Sequence, residues 1–292
     1  MASQQKWGFM FDDDKFVSQY KTGEHITGRF AQILLDQTGM VADSKTTPDR
    51  SLVVFDNACG TAVVSHILHR ELDDTVKSRW KLTCGDTSPG MLKWAKSRME
   101  NENWQNTEVK LVDAQDTGLP TAHFTHVITA FAYMGCPKSL SALDESVRIL
   151  QPGGTIAFST WIDPAWISVV QQAAKVIPGN FPFPSSKEFL KVLGSGEWDS
   201  VSWIETQLKE RGLQDIQVQP NTQAISLTVP DFSKMVAVMF PMITKFFWTE
   251  EQRERQEEFV GGLQQYLERT YGKDGEMAME WTAILSTARK AN

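Results

Sequence analysis

The chain has 292 residues, of which 41% are hydrophobic, and a formal net charge of -7. This length suits one large domain or two small ones, and the acidic balance argues against the basic surface that nucleic acids require. No run of about 18 apolar residues is present, so no membrane-spanning helix is predicted, and the polar, acidic N-terminus is unlike a signal peptide. The three cysteines fit no zinc-binding spacing, no metal site is expected, and we predict reduced thiols in a cytoplasmic protein.

The first predicted elements are a helix over residues 7–42, where apolar residues recur at spacings of three and four, and a polar linker over 41–50. A short apolar run at 52–55 then stops at Asp56, small residues follow at 57–62, and a helix-compatible stretch begins at Val63. This order predicts a buried strand, a tight turn and a helix whose N-terminus can approach a ligand closely. A compact corner without any ligand would show the same pattern.

A helix with alternating charges over 67–81 is expected next, before a second strand over 80–85 that ends at Asp86, 26 residues beyond Gly60. An acidic residue at that position can accept hydrogen bonds from both hydroxyl groups of a ribose. The alternative interpretation is a solvated carboxylate that caps the following helix, which Pro89 opens.

Strands are further predicted at 107–112, 125–131 and 155–160, with a helix at 140–150. Strands and helices therefore alternate with short connections, which is typical of a doubly wound parallel α/β sheet. A sixth strand is expected at 216–218 and a seventh, antiparallel to it, at 281–287. We predict one domain, whose core comprises 50–160, 208–220 and 280–288, with a helical cap from 1–42, 161–200 and 222–275.

Four segments carry a resemblance to a known family: FDNACGTA (55–62), CGDTSPGML (84–92), DAQDTGLP (113–120) and ESVRILQPGG (145–154). Because these four segments occur in this order, the chain resembles the class I S-adenosylmethionine-dependent methyltransferases. The resemblance implies a Rossmann-like seven-stranded mixed sheet, S-adenosylmethionine as cofactor and S-adenosylhomocysteine as product. A nicotinamide cofactor is less compatible, since the turn lacks G-x-G-x-x-G.

The resemblance also implies roles for single residues. The methionine moiety would lie against the turn after strand one, Asp86 would hold the ribose, Thr87 or Met91 would contact the adenine, and Asp113 would accept from the adenine amino group beside the Ala114 N–H. The full expected cofactor set is Tyr20, Asp56, Asn57, Ala58, Cys59, Gly60, Asp86, Thr87, Met91, Asp113, Ala114 and Phe131. The chain departs from the family at Ala58 and Ala62, where glycines are usual.

The acceptor site is expected after strands four and five. By resemblance, Tyr133 and Met134 flank the transferred methyl group, with Tyr133 as the catalytic candidate, and Phe131 and Trp161 are candidate walls. The helix over 232–247 carries Met239 and Phe240, for which core packing and substrate contact are equally compatible with the pattern. These residues together predict an apolar small-molecule acceptor.

Two further segments, PGNFPFP (178–184) and FWTEEQRE (247–254), are similar to the fungal bis-thiomethyltransferases of the gliotoxin type. This similarity implies S-methylation of a dithiol secondary metabolite. All five histidines precede residue 127, and only His25 is placed where it could touch a substrate. A thiol, which is partly ionised near neutral pH, therefore suits the chain better than an alcohol. Asp163, Glu188 or a tyrosine are the alternative candidates for a base. An O- or N-methyltransferase and a non-catalytic, cofactor-binding regulatory protein remain the alternatives.

Overall fold

The computed structural model describes residues 23–46 and 51–292. Its strands are β1 (Val53–Asn57), β2 (Lys81–Asp86), β3 (Thr107–Leu111), β4 (Phe124–Ala130), β5 (Leu150–Asp163), β6 (Leu213–Thr228) and β7 (Glu276–Lys290). They form a seven-stranded sheet in the order β3-β2-β1-β4-β5-β7-β6. Strands β1 to β5 are parallel, and β7 runs antiparallel to both β5 and β6. The predicted Rossmann-like mixed sheet is confirmed.

Helices cover both faces and one end of this sheet. They are α1 (Glu24–Thr38), α2 (Met40–Thr46), α3 (Val63–Glu71), α4 (Asp74–Lys77), α5 (Pro89–Asn101), α6 (Ser139–Ile149), α7 (Trp166–Ala174), α8 (Ser186–Leu193), α9 (Val201–Glu210), α10 (Val229–Phe247), α11 (Glu250–Glu254) and α12 (Gln256–Tyr271). Within residues 23–46 and 51–292, no helix combines the length and hydropathy needed to cross a membrane.

The strand order creates a crevice at the carboxyl end of β1. From β1 the chain adds β2 and β3 on one side and then returns to place β4 on the other. The loops after β1 and β4 therefore lead away from each other, and such a reversal point is where open α/β sheets bind ligands. Val54 and Phe55, at the centre of β1, are 0% exposed, because helices cover this strand on both faces.

The last two strands are much longer than predicted. β6 has 16 residues and β7 has 15. The C-terminal part of β6 and the N-terminal part of β7 extend past β5 as a two-stranded ribbon. Buried and exposed residues alternate there, with Ile225, Leu227, Met277 and Met279 facing inward. Residues 222–228, which we expected in the cap, are therefore strand, because the alternation supplies one buried face.

The helical predictions for the first hundred residues also need correction. Residues 40–46 form α2 rather than a polar linker, and the helix predicted over 67–81 is two helices, α3 and α4, separated at Leu72. The predicted helix over 7–42 falls partly outside the described residues. Its described part ends at Gly39, which adopts a φ of 70° and thereby terminates α1.

Part of the main hydrophobic core is a group of aromatic rings from residues 181–259, which we call the cap cluster. Rings in this cluster pack with centroids between 5.0 and 6.3 Å apart. Its members are Phe181, Phe183, Phe240, Trp248 and Phe259. The segment PGNFPFP and the C-terminal end of α10 thus meet in one apolar layer over α12.

Candidate functional site: the crevice at the carboxyl ends of the strands

The turn after β1 adopts left-handed backbone. Ala58, Gly60 and Ala62 have φ values of 52°, 55° and 62°. This conformation costs an alanine about 1–2 kcal/mol and glycine almost nothing, which explains why glycine is usual at such positions. The Cys59 N–H donates to the Gly85 carbonyl at 2.9 Å and ties the turn to β2. Because α3 begins directly after the turn, its N-terminal amides lie beside the crevice.

Asp56 connects this turn to α3. The side chain is 1% exposed, and its Oδ2 accepts hydrogen bonds from the Ser65 Oγ at 2.6 Å and the Ser65 N–H at 3.2 Å. Burial raises the pKa of this carboxyl to about 7, although the two Ser65 bonds act in the opposite direction. Asp56 therefore positions the start of α3 against β1, with its carboxylate directed at the helix.

Asn57, which follows Asp56, has one buried polar atom without a hydrogen-bond partner among the described residues. The side chain is 1% exposed, and its Nδ2 donates to the Thr129 Oγ1 at 3.3 Å and the Ser146 Oγ at 3.4 Å. Among the described residues, nothing donates to its buried Oδ1. An unsatisfied buried acceptor is costly and uncommon, so this oxygen is suited to an ammonium or N–H group of a ligand.

Asp86 bridges two backbone segments at the tip of β2. Its Oδ2 accepts from the Gly60 N–H at 2.8 Å, and its Oδ1 accepts from the Ser88 N–H at 2.9 Å. A carboxylate can accept about four hydrogen bonds, so these two are compatible with additional bonds from a diol. Thr87 is exposed beside it, whereas Met91 is 2% exposed in the first turn of α5.

The third acidic residue follows β3. Asp113 is exposed and accepts from the Gln115 N–H at 2.9 Å and the Gln115 Nε2 at 3.0 Å. The Val112 N–H donates to the Asp86 carbonyl at 3.0 Å, which joins the tips of β3 and β2. Ala114 is 6% exposed, so its backbone rather than its side chain is the part that a ligand can use.

Charge effects connect the three acidic residues to one another or to a common neighbour. Burial raises the pKa of the Cys136 thiol to about 12, and the charges of Asp113 and Asp86 add to this effect. The charge of Asp86 also raises the pKa of Asp56. The three aspartates predicted to share a site are thus close enough to influence one another or a common neighbour.

Cys59, Cys84 and Cys136 are free thiols, and contact with Cys84, together with burial, raises the pKa of Cys59.

Beside the crevice, at the tips of β4 and β5, lies an aromatic wall formed by Phe30, Phe131 and Trp161. The Phe131 and Trp161 rings are stacked at 4.1 Å, and Phe30 from α1 meets them edge-on at 5.9 and 5.4 Å. Phe131 has a φ of 56°, which is unusual for a bulky residue and typical of functional sites. Met134 is 7% exposed, and its Sδ accepts a hydrogen bond from the backbone N–H of Trp161 at 3.4 Å.

Tyr133 does not reach this wall, contrary to the expectation that it flanks the transferred methyl group. It is 0% exposed, and its hydroxyl donates to the Ser146 Oγ at 2.7 Å while accepting from the Thr129 Oγ1 at 3.1 Å. Burial raises its pKa to about 12. The phenol therefore supports Asn57 from behind, through the same two hydroxyl groups, and is poorly suited to act as a base.

The remaining predicted residues lie at varying distances from the crevice. Phe240 belongs to the cap cluster, stacked on Phe259 at 5.4 Å, so the core interpretation of α10 describes it better than substrate contact. Met239 is half-buried against the main core. His25 is exposed on α1, and Tyr20 lies outside the described residues.

One feature of the crevice escaped sequence analysis. Arg98 on α5 donates to the Glu24 Oε2 at 2.7 Å and to the Thr61 carbonyl at 2.9 Å, and the Thr61 hydroxyl donates to the Glu24 Oε1. This clasp, whose two charged side chains are each 14% exposed, joins α1 to the cofactor-side turn. Glu24 and Arg98 are 74 residues apart and occur in no local motif, so no sequence pattern predicts this contact.

Comparison with known proteins agrees with this geometry. A family model described as a methyltransferase domain matches residues 54–154. The chain is 40% identical to the acetylaranotin bis-thiomethyltransferase of Aspergillus terreus over 96% of both chains. It is 39% identical to the methyltransferase tpcH of Aspergillus fumigatus over 96% of this chain and 98% of the relative. The solved structure of the cyclase SpnF shares the fold with a TM-score of 0.50 at 16% identity, covering 90% of this chain and 81% of the other. The chain therefore belongs to the class I methyltransferases that use S-adenosylmethionine, and within them to the group that includes these two Aspergillus proteins.

Proposed function

We propose that the protein is an S-methyltransferase that methylates the thiols of a reduced epidithiodiketopiperazine, a gliotoxin-like dithiol. The similarity to the acetylaranotin bis-thiomethyltransferase supports this substrate class, since it extends over 96% of both chains and includes the cap. The segments at 178–184 and 247–254 contribute Phe181, Phe183 and Trp248 to the cap cluster.

The residues around the crevice fit the cofactor. The Asn57 Oδ1, buried and without a donor among the described residues, suits the ammonium of the methionine moiety. Asp86 suits the ribose diol, and Asp113 and the Ala114 N–H suit the edge of the adenine. When bound, the cofactor supplies an electrophilic methyl group on a positively charged sulfur. In this proposal Asp56 and Ser65 act indirectly, by fixing the turn and α3.

The observation that carries the thiol assignment is the chemistry of the aromatic wall. Phe30, Phe131, Trp161 and the adjacent Met134 hold no group that titrates near neutral pH, and the nearby phenol of Tyr133 is sequestered. Such a surface can align an apolar acceptor and exclude water, but it cannot remove a proton. A thiol has a pKa of about 8.5 and its thiolate is strongly nucleophilic, so this acceptor needs alignment more than it needs a base.

The test is methyl transfer from S-adenosylmethionine to a panel of acceptors, followed by mass spectrometry. The panel contains reduced gliotoxin, its intact disulfide, a phenol and an amine. We expect one and then two methyl groups on the dithiol and none on the disulfide. The Asp116→Ala variant, which changes an exposed aspartate next to the crevice, serves as an active control. The Asp86→Ala variant serves as a control with weakened cofactor binding. Transfer only to the phenol or the amine would refute the thiol assignment, and cofactor binding without any transfer would indicate a regulatory protein.

A further inference from the structure

A buried indole N–H without a partner lies next to the aromatic wall. Trp281 on β7 is 2% exposed, and its ring is 5.8 Å from that of Trp161. Among the described residues, nothing accepts a hydrogen bond from its Nε1. The position is the point where the β6–β7 ribbon leaves the sheet, since Trp281 pairs with Gln223 beyond the end of the β5 ladder.

Other buried tryptophans in the molecule satisfy this group with protein acceptors. Four of them donate to acceptors at 2.7–3.1 Å, namely Trp80 to Gln105 O, Trp104 to Glu102 Oε2, Trp198 to Ser195 O and Trp248 to Pro182 O. The Trp281 donor is therefore an exception within its own fold. An unmade bond at a buried donor is costly, and such exceptions in native structures call for an explanation.

We propose that the bound acceptor molecule supplies the missing partner, and that Trp281 is a specificity-determining residue that donates to a carbonyl oxygen of the substrate. The indole N–H is a donor only, so its ligand must present an acceptor atom. The Trp281 ring contacts that of Trp161, which stacks on Phe131 at the tip of β4. In this proposal Trp281 contacts the substrate along the same aromatic wall that aligns the reacting sulfur.

An amide carbonyl fits this donor best. A neutral amide oxygen is a strong acceptor and does not require the charged partner that a carboxylate would need in an aromatic surrounding. A dioxopiperazine ring carries such carbonyls next to the carbons that bear sulfur. The inference thus rests on the proposed function and adds to it the atom by which the ring is recognised.

The experiment compares Trp281→Phe, which keeps an aromatic ring but removes the N–H, with Trp80→Phe, which removes an N–H that already has a protein acceptor. Calorimetry on the enzyme loaded with S-adenosylhomocysteine measures binding of a sulfur-free dioxopiperazine that carries a benzyl group. Steady-state kinetics measure KM for reduced gliotoxin and for an aromatic dithiol without carbonyl groups.

We expect Trp281→Phe to weaken dioxopiperazine binding about tenfold and to raise KM for reduced gliotoxin by a similar factor. The KM for the carbonyl-free dithiol and the affinity for S-adenosylhomocysteine should not change, and Trp80→Phe should lower thermal stability without altering the KM for either dithiol. An equal effect of Trp281→Phe on both dithiols, or no effect on dioxopiperazine binding, overturns the inference. If the wild-type enzyme binds the dioxopiperazine through Trp281 but methylates neither dithiol, the proposed function fails and the carbonyl contact stands.

Discussion

Replacement of Asp86 by alanine is the most direct test of the crevice. The change removes the acceptor for the Gly60 N–H at 2.8 Å and for the Ser88 N–H at 2.9 Å, as well as the proposed bonds from the ribose. Hydrogen bonds to a charged group contribute about 1.5–3 kcal/mol each. The bonds to Gly60 and Ser88 also exist without the cofactor, so part of the lost free energy lowers the stability of the free protein and not the binding affinity. We therefore expect the affinity for S-adenosylhomocysteine to fall by about 2–4 kcal/mol, or roughly 30- to 1,000-fold.

Isothermal titration calorimetry measures this loss, with thermal unfolding of the free protein recorded in parallel. Asp86→Asn keeps one carbonyl oxygen, so it should retain one of the two backbone bonds and give an intermediate affinity. Asp116→Ala, at an exposed aspartate of the neighbouring loop, should bind like the wild type. Unchanged affinity in Asp86→Ala would show that the cofactor lies elsewhere and would refute the reasoning.

Three further predictions concern residues behind the crevice. In the clasp, the double-mutant cycle of Glu24→Gln and Arg98→Met should give a coupling energy of about 1–3 kcal/mol by urea denaturation, and additive effects would show that the pair does not couple α1 to the turn. Because the pKa of Asp56 is raised to about 7 from 3.8, the native state holds this proton longer than the unfolded state, so stability should decrease as pH rises from about 4 to 7, on the order of 4 kcal/mol in total. Asp56→Asn should remove this contribution to the pH dependence of unfolding, and an unaltered slope would mean that the carboxyl ionises normally. Tyr133→Phe should lower the free energy of unfolding by about 1 kcal/mol with turnover nearly unchanged. A large loss of turnover at constant stability would show that the phenol takes part in the reaction.

The parts of the structure that local sequence predicts well are those with a local cause. The turn after β1 is an example, since small residues between an apolar run and a helix have few other solutions, and Gly60 and its two flanking alanines all adopt positive φ. Asp86 is similar, because a strand end and a helix start fix the position of the residue between them. The resemblance to a family then supplied the ligand, which the spacing alone left open.

The errors have non-local causes. The family resemblance placed Tyr133 next to the reacting methyl, but its hydroxyl instead donates to Ser146, a residue of α6. The length of β6 was underestimated because the middle of this strand is polar and mostly not buried. The length of β7 was underestimated because its continuous apolar run covers only residues near its centre. The alternation in Met277-Ala278-Met279-Glu280-Trp281 was visible in the sequence and identifies the ribbon in retrospect.

The position of β7 has a consequence for the way the molecule is made. This strand lies between β5 and β6, yet the chain reaches it only after it has passed through α10, α11 and α12. On a ribosome, β5 and β6 would emerge with the gap between them still open, and their hydrogen-bonding groups would wait for a segment synthesised later. Completion of the sheet therefore waits until β7 has been synthesised, whereas the strands that carry Asp56, Asp86 and Asp113 emerge much earlier.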